Sequence, residues 1–145
     1  YRAVDKRGKT VDFLLRPDRG IAAAQAFFRK ALATSLPRWP RKITLDGHAP
    51  SHQALRLLRR EDPNWKYVLV RSCPYLNNIV EQDHRAIKRR CASMLGFKSF
   101  GNAAITLAGI ELAHRIHKRQ FSFGPGFQWR NQSLKQLWDR ALVTA

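Results

Sequence analysis

Lys42-Ile43-Thr44-Leu45-Asp46-Gly47 and Tyr75-Leu76-Asn77-Asn78-Ile79-Val80-Glu81-Gln82-Asp83-His84-Arg85-Ala86-Ile87-Lys88-Arg89-Arg90 bracket the stretch whose reading decides the fold. The first run is a short β-favouring segment that stops on an aspartate and a glycine, so a carboxylate emerges where a strand ends and the chain turns. The second run reads as a helix, with Glu81 early in it and cations toward its end. Open α/β sheets place their sites at the carboxyl ends of strands. An acid at a strand end, a second acid on a later helix and cations beyond it make the layout of a metal-dependent phosphodiester enzyme. Hard divalent cations take carboxylate oxygens, and a pair of them can activate an attacking oxygen and stabilise a leaving one.

Outward from this stretch, strands and helices alternate. Residues 2–5 and 10–15 read as strand, turn, strand, with Gly8 in the turn and Val11, Phe13 and Leu15 alternating with Asp12 and Leu14. The alanine-rich segment from Ile21 to Ser35 predicts a helix, and residues 36–40 a proline-punctuated loop. A helix beginning near Pro50 should turn Ala54, Leu55, Leu57 and Leu58 inward and Arg56, Arg59 and Arg60 outward, and end at Asp62-Pro63-Asn64. Tyr67-Val68-Leu69-Val70 reads as a strand buried on both faces.

Asn77 or Asn78 introduces the helix of Glu81, expected to run to about Leu95 and stop at Gly96. Asn102 is the expected cap of a helix from Ala103 to about Gln120. Residues 121–127, with Gly124-Pro125-Gly126, read as a turn-rich link. A last amphipathic helix, residues 133–142, carries Leu134, Leu137, Trp138 and Leu142. The alternation predicts an α/β fold followed by a helical C-terminal part.

Charge narrows the partners. The 145 residues hold 27 Lys and Arg against 10 Asp and Glu, a formal +17. Such an excess repels itself and calls for a polyanion, nucleic acid ahead of a membrane surface or ribosomal-type packing. An RNA-binding reading lacks an RNP-type aromatic strand. No apolar run approaches the roughly 20 residues of a membrane span, and the start carries no secretory-leader pattern. Cys73 and Cys91 are too few for a disulfide framework and lack zinc spacing, so they are expected to be core thiols of a cytoplasmic protein.

Each candidate residue has a plainer reading beside the chemical one. Asp46 in Asp-Gly is also a turn aspartate. Glu81 is also a helix-surface partner for Arg85 at i+4. Arg85, Lys88, Arg89 and Arg90 are either a solvated face or phosphate contacts, which position a duplex without reading its sequence. Asp83 lies off the face of Glu81 and is expected at the surface, and His84 is placed to touch DNA or substrate. His48 and His52, and His114 and His117, have helical spacing without a third ligand, so capping or surface roles are expected. Trp39, Trp65, Trp129 and Trp138 read as packing residues, Asp5 as the opener of the first turn and Asp12 as a hairpin residue.

Residues 1–6, 10–15, 75–85, 87–90, 94–100 and 109–111 together resemble the catalytic core of bacterial DDE transposases of the insertion-sequence-six family, over residues 1–120. The resemblance implies a ribonuclease-H-like mixed sheet with flanking helices, in which three acids hold two Mg2+ (or Mn2+) ions. Asp46 would be the second acid, Glu81 the third, and Lys88 the basic residue that follows. The family's first aspartate, with its central strand and a helix-turn-helix region, would lie before Tyr1, so the chain reads as N-terminally incomplete. The implied function is cleavage at transposon ends and strand transfer to target DNA, by a homo-oligomer in the nucleoid-associated cytoplasm. The isolated fragment is expected to be poorly stable and inactive. The alternative is a non-catalytic DNA-binding remnant or inhibitor of intact transposase.

Overall fold

The computed structural model describes residues 1–35, 38–73, 78–121, 123, 127, 128 and 131–143. Tyr75, Leu76, Asn77, Trp129 and the Gly124-Pro125-Gly126 turn therefore lie outside the described residues, as do Leu36 and Pro37 of the expected loop. The chain forms two compact units, Tyr1–His84 and Arg85–Ala145.

The first unit opens with β1 (Arg2–Val4) antiparallel to β2 (Thr10–Phe13), Arg2 opposite Phe13 and Ala3 opposite Asp12. Asp5 builds the turn, its Oδ1 accepting from the N–H groups of Arg7 and Lys9 at 2.8 and 2.9 Å. Gly8 holds φ +76° there, a conformation that side chains resist. α1 (Ile21–Ser35) buries Ala23, Ala24, Phe27 and Phe28 along one stripe. Asp12 ties this helix to the hairpin, meeting Lys30 Nζ at 3.1 Å and accepting from Thr34 Oγ1 at 2.9 Å.

β3 (Lys42–Leu45), α2 (Ala49–Glu61) and β4 (Leu69–Ser72) form a crossover whose two strands run parallel, Lys42 beside Leu69 and Leu45 beside Ser72. Proline near the start of α2 suits a helix's first turn, where its missing N–H costs nothing. α2 turns Ser51, Ala54, Leu55 and Leu58 inward. After it, Asp62 caps a 3₁₀ turn, Pro63–Tyr67, by accepting from the Asn64 N–H at 2.9 Å. Asp62→Ala is expected to cost about 1 kcal/mol, read as a lowered urea midpoint with unchanged slope.

One core fills the unit. Ala24, Phe27 and Phe28 of α1 pack with Ala54, Leu55 and Leu58 of α2, with Leu45, Trp65 and Val68, and with half-buried Tyr1, Ala3, Trp39, Ile43 and Val70 around them. The segment around β4 departs from expectation. Val68 is 2% exposed, whereas Tyr67 is 86% and Leu69 62% exposed. The helices cover one face of the β3–β4 pair, so the strand is apolar on both faces but buried on one. It also starts later than predicted, because residues through Tyr67 belong to the 3₁₀ turn.

Among the described residues the strands make two separate two-stranded sheets, β1–β2 and β3–β4, and no ladder joins them into one mixed sheet. The α/β class holds, with small sheets and more helix than strand.

α3 (Asn78–Cys91) begins in the first unit and ends in the second. Its α-helical part stops at Cys91, short of the expected Leu95. A 3₁₀ turn, Ala92–Met94, follows, then Leu95 and Gly96, both at positive φ. α4 (Phe100–His117) starts earlier than predicted, because Ser99, and not Asn102, is the cap: its Oγ accepts from the Asn102 N–H at 3.1 Å. α5 (Leu134–Val143) is preceded by Ser133, which exchanges two bonds with Gln136 in a capping box. Ile116, Leu137 and Ala141 are buried together, flanked by Leu112, Phe121, Phe123, Phe127 and Trp138. Each unit thus closes its own apolar cluster. Cys73 and Cys91 are half-buried free thiols, not core thiols, since Cys73 lies just past β4 and Cys91 is the last residue of α3. No helix among the described residues is long and apolar enough to cross a membrane.

Candidate functional site

Asp46 follows β3 directly and is exposed. Its Oδ1 accepts from the His48 N–H at 3.2 Å, the short loop of a turn aspartate. The turn has a second fastener: His52 Nε2 lies 2.9 Å from the Asp46 carbonyl oxygen. His48 immediately precedes α2, its Nδ1 3.2 Å from Ser51 Oγ. His48 thus fastens the strand-to-helix turn by its backbone N–H and His52 by its ring, while the His48 ring, at the N-cap of α2, caps no backbone N–H. The role of His52 was hidden in the sequence because its partner is a backbone atom six residues back. His114, by contrast, is 6% exposed, and the surface role expected for it is wrong: it faces inward on α4 beside buried Glu111.

Glu81 lies in the first turn of α3 and is exposed. An acid there is favoured by the helix N-terminus. No ion pair or hydrogen bond engages it among the described residues, so the i+4 bridge to Arg85, its plainer reading, does not form. Arg85, Lys88, Arg89 and Arg90 are all exposed, and His84 is half-buried. Arg90 turns one nitrogen back onto the Ala86 carbonyl at 3.1 Å.

Asp83 corrects the sequence reading most sharply. Expected at the surface, it is 5% exposed and paired with Arg2 in a buried ion pair between α3 and β1. Burial pulls the pKa of the Arg2 guanidinium below its ordinary value, and Asp83 opposes that pull. Helix periodicity places Asp83 away from Glu81, and away from an exposed acid is toward the interior.

A family model described as a DDE domain matches residues 1–120. The chain belongs to the DDE domain family of bacterial insertion-sequence transposases. It is 34% identical over 119 residues to a Staphylococcus aureus protein, the transposase for insertion sequence-like element IS431mec, covering 82% of this chain and 50% of that protein. The same figures hold for the S. aureus transposase for insertion sequence element IS257 in transposon Tn4003. An uncharacterized protein, pYV0051, of Yersinia pseudotuberculosis is 36% identical over 62 residues, 42% of this chain and 58% of that protein. The chain spans about half the length of the transposases it matches. No solved structure matches it.

Within this DDE domain, Asp46 and Glu81 are two exposed carboxylates on one compact unit, offering the hard oxygens that divalent cations prefer. Their chemistry fits such a cation; their number falls short, because no group of three or more His, Cys, Asp or Glu able to hold a metal occurs among the described residues. Asp5 and Asp12 are occupied in the hairpin and its tie to α1.

Proposed function

We propose that these residues form part of the catalytic core of a transposase that cuts DNA at the ends of a mobile element and joins them to target DNA. Asp46 and Glu81 act in this reading as two of three acids that hold divalent cations, Mg2+ or Mn2+, within a ribonuclease-H-like arrangement. The observation that carries it is placement within the matched domain. Asp46 stands exposed at a strand end and Glu81 exposed in a first helical turn of the same compact unit, and, like Asp18 and Asp139, neither is neutralised by an ion pair among the described residues. Bound there, the cations would supply Lewis-acid activation of the attacking oxygen and charge stabilisation at the leaving one.

The chain's own residues do the rest. His48 and His52 hold the turn that presents Asp46. Arg85, Lys88, Arg89 and Arg90 take phosphates along the exposed part of α3, with His84 near the DNA. Lys88, two turns beyond Glu81, stands about 10 Å further along the helix axis. The protein is expected to act as a homo-oligomer on DNA in the nucleoid-associated cytoplasm. Lys88→Ala should reduce the slope of log affinity against log salt by about 1 and weaken all DNA sequences alike, as measured by fluorescence anisotropy across a salt series.

A second reading, a non-catalytic DNA-binding remnant that competes with intact transposase, draws on the same count of two acids. A labelled transposon end incubated with the intact protein and divalent metal separates the two. Metal-dependent cleavage and joining supports the first reading, and tight binding with no cleavage under Mg2+ or Mn2+ overturns it in favour of the second.

A further inference from the structure

α3 is a charged helix that brings little apolar surface to the unit Tyr1–His84. Of its residues up to His84, Asn78, Ile79, Glu81 and Gln82 are exposed, Val80 and His84 are half-buried, and Asp83 alone is buried. That buried group is a carboxylate, and it meets the guanidinium of Arg2, the two side chains being 4% and 2% exposed. Arg2 is itself fixed. It sits on β1 opposite Phe13, and its Nη1 also lies 3.4 Å from Oγ1 of buried Thr10. The hairpin turn reaches the same helix: a Cβ built on Gly8 would lie 3.5 Å from Ile79 Cγ2.

A buried ion pair is a weak source of stability, because desolvation of both charges offsets their attraction. Its value lies in direction. A helix docked by smooth apolar contact can roll or slide by part of a turn, whereas a buried charge pair resists such movement, because either partner left uncompensated in the interior is strongly disfavoured. Two positions along an α-helix rotate the side chain by about 200°, so a helix locked with Asp83 inward must present Glu81 outward.

We propose that the Arg2–Asp83 ion pair is the positioning device for Glu81, fixing the roll and axial placement of α3 on the β1–β2 hairpin so that Glu81 stands at a set place relative to Asp46. The inference rests on the reading of Glu81 as a cation-holding acid. Arg2 and Asp83 touch no reacting group in it; they act through the helix.

The test uses the intact protein. Arg2→Met/Asp83→Leu replaces the pair with apolar groups of comparable size, a swap that generally preserves stability. Melting temperature and DNA affinity should stay near wild type while strand transfer falls about 100-fold, the scale of loss that a displaced reacting group brings. Amide hydrogen exchange should quicken in residues 78–84 and stay unchanged in the buried stretches of α1 and α2. The reversed pair, Arg2→Asp/Asp83→Arg, should recover part of the activity that either single change removes.

Wild-type turnover and wild-type protection of residues 78–84 in the apolar double variant overturn the proposal, as does turnover that falls only in step with lost stability. Should that variant fail to fold, Arg2→Lys is read instead, since it keeps the charge and removes the planar fork. Reduced turnover at unchanged melting temperature and DNA affinity supports the proposal there, and unchanged turnover overturns it. Glu81→Gln runs alongside. Normal strand transfer in that variant removes the reading of Glu81 itself, whereas an inactive Glu81→Gln beside a fully active apolar double removes only the positioning role.

Discussion

Glu81→Gln in the intact protein is expected to lower metal-dependent strand transfer about a thousandfold, a loss of about 4 kcal/mol of transition-state stabilisation. The substitution keeps size and hydrogen-bonding reach and removes only the negative charge that a divalent cation needs. Glu81 is exposed, on a helix surface and without an ion-pair partner among the described residues, so folding stability should change by no more than about 0.5 kcal/mol. DNA affinity should hold or rise slightly, since one negative charge leaves a helix that carries the exposed cations Arg85, Lys88, Arg89 and Arg90. Asp46→Asn should behave alike, because the amide can still accept from the His48 N–H as the carboxylate does. The two losses should not add: residues that act as one unit cost nearly as much singly as together. Single-turnover joining of a labelled end, with binding measured on the same preparations, reads all of this. DNA binding lost in step with joining would place both acids in the DNA interface.

The largest effect on folding is expected at Trp65. It is 3% exposed and stands edge-on to two aromatic neighbours, its ring centroid 6.3 Å from Phe28 and 5.3 Å from Trp39. It is the point where α1, the 3₁₀ turn and the approach to β3 meet. Trp65→Ala should cost about 3–5 kcal/mol, against a total of about 5–15 kcal/mol for an ordinary domain. Trp65→Phe, which keeps an aromatic ring in the space, should cost far less. Urea unfolding followed by circular dichroism distinguishes them, and an alanine variant with a near-wild-type midpoint would mean the core closes without this residue.

The elements were legible wherever one local signal dominated. α1 and β3 fall on their predicted bounds, because an alanine-rich amphipathic run and a short β-favouring run each admit one reading. Ends were less legible: Ser99 and Asn102 are both good caps, and only the choice of the first helical turn decides between them. Burial on two faces against one was not legible at Tyr67-Val68-Leu69-Val70, since it depends on what covers the far side of the strand. The candidate acids could be placed on their elements from sequence alone, Asp46 at a strand end and Glu81 in a first helical turn. Their supports could not. Arg2 and Asp83 are 81 positions apart, and each by itself reads as an ordinary surface charge, so only the fold brings them together in the interior. His52 is the same case at shorter range.

If Glu81, with Asp46, holds a divalent cation during strand transfer, a change of ligand atom at this one side chain should change which metal supports the reaction. Glu81→Cys in the intact protein replaces a hard oxygen ligand with sulfur, which Mg2+ refuses and Mn2+ accepts more readily. Strand transfer should disappear with Mg2+ and return in part with Mn2+, while Glu81→Ala stays inactive with both. Equal activity of Glu81→Cys in the two metals, or equal inactivity of the cysteine and alanine variants in both, would mean that Glu81 does not hold the cation.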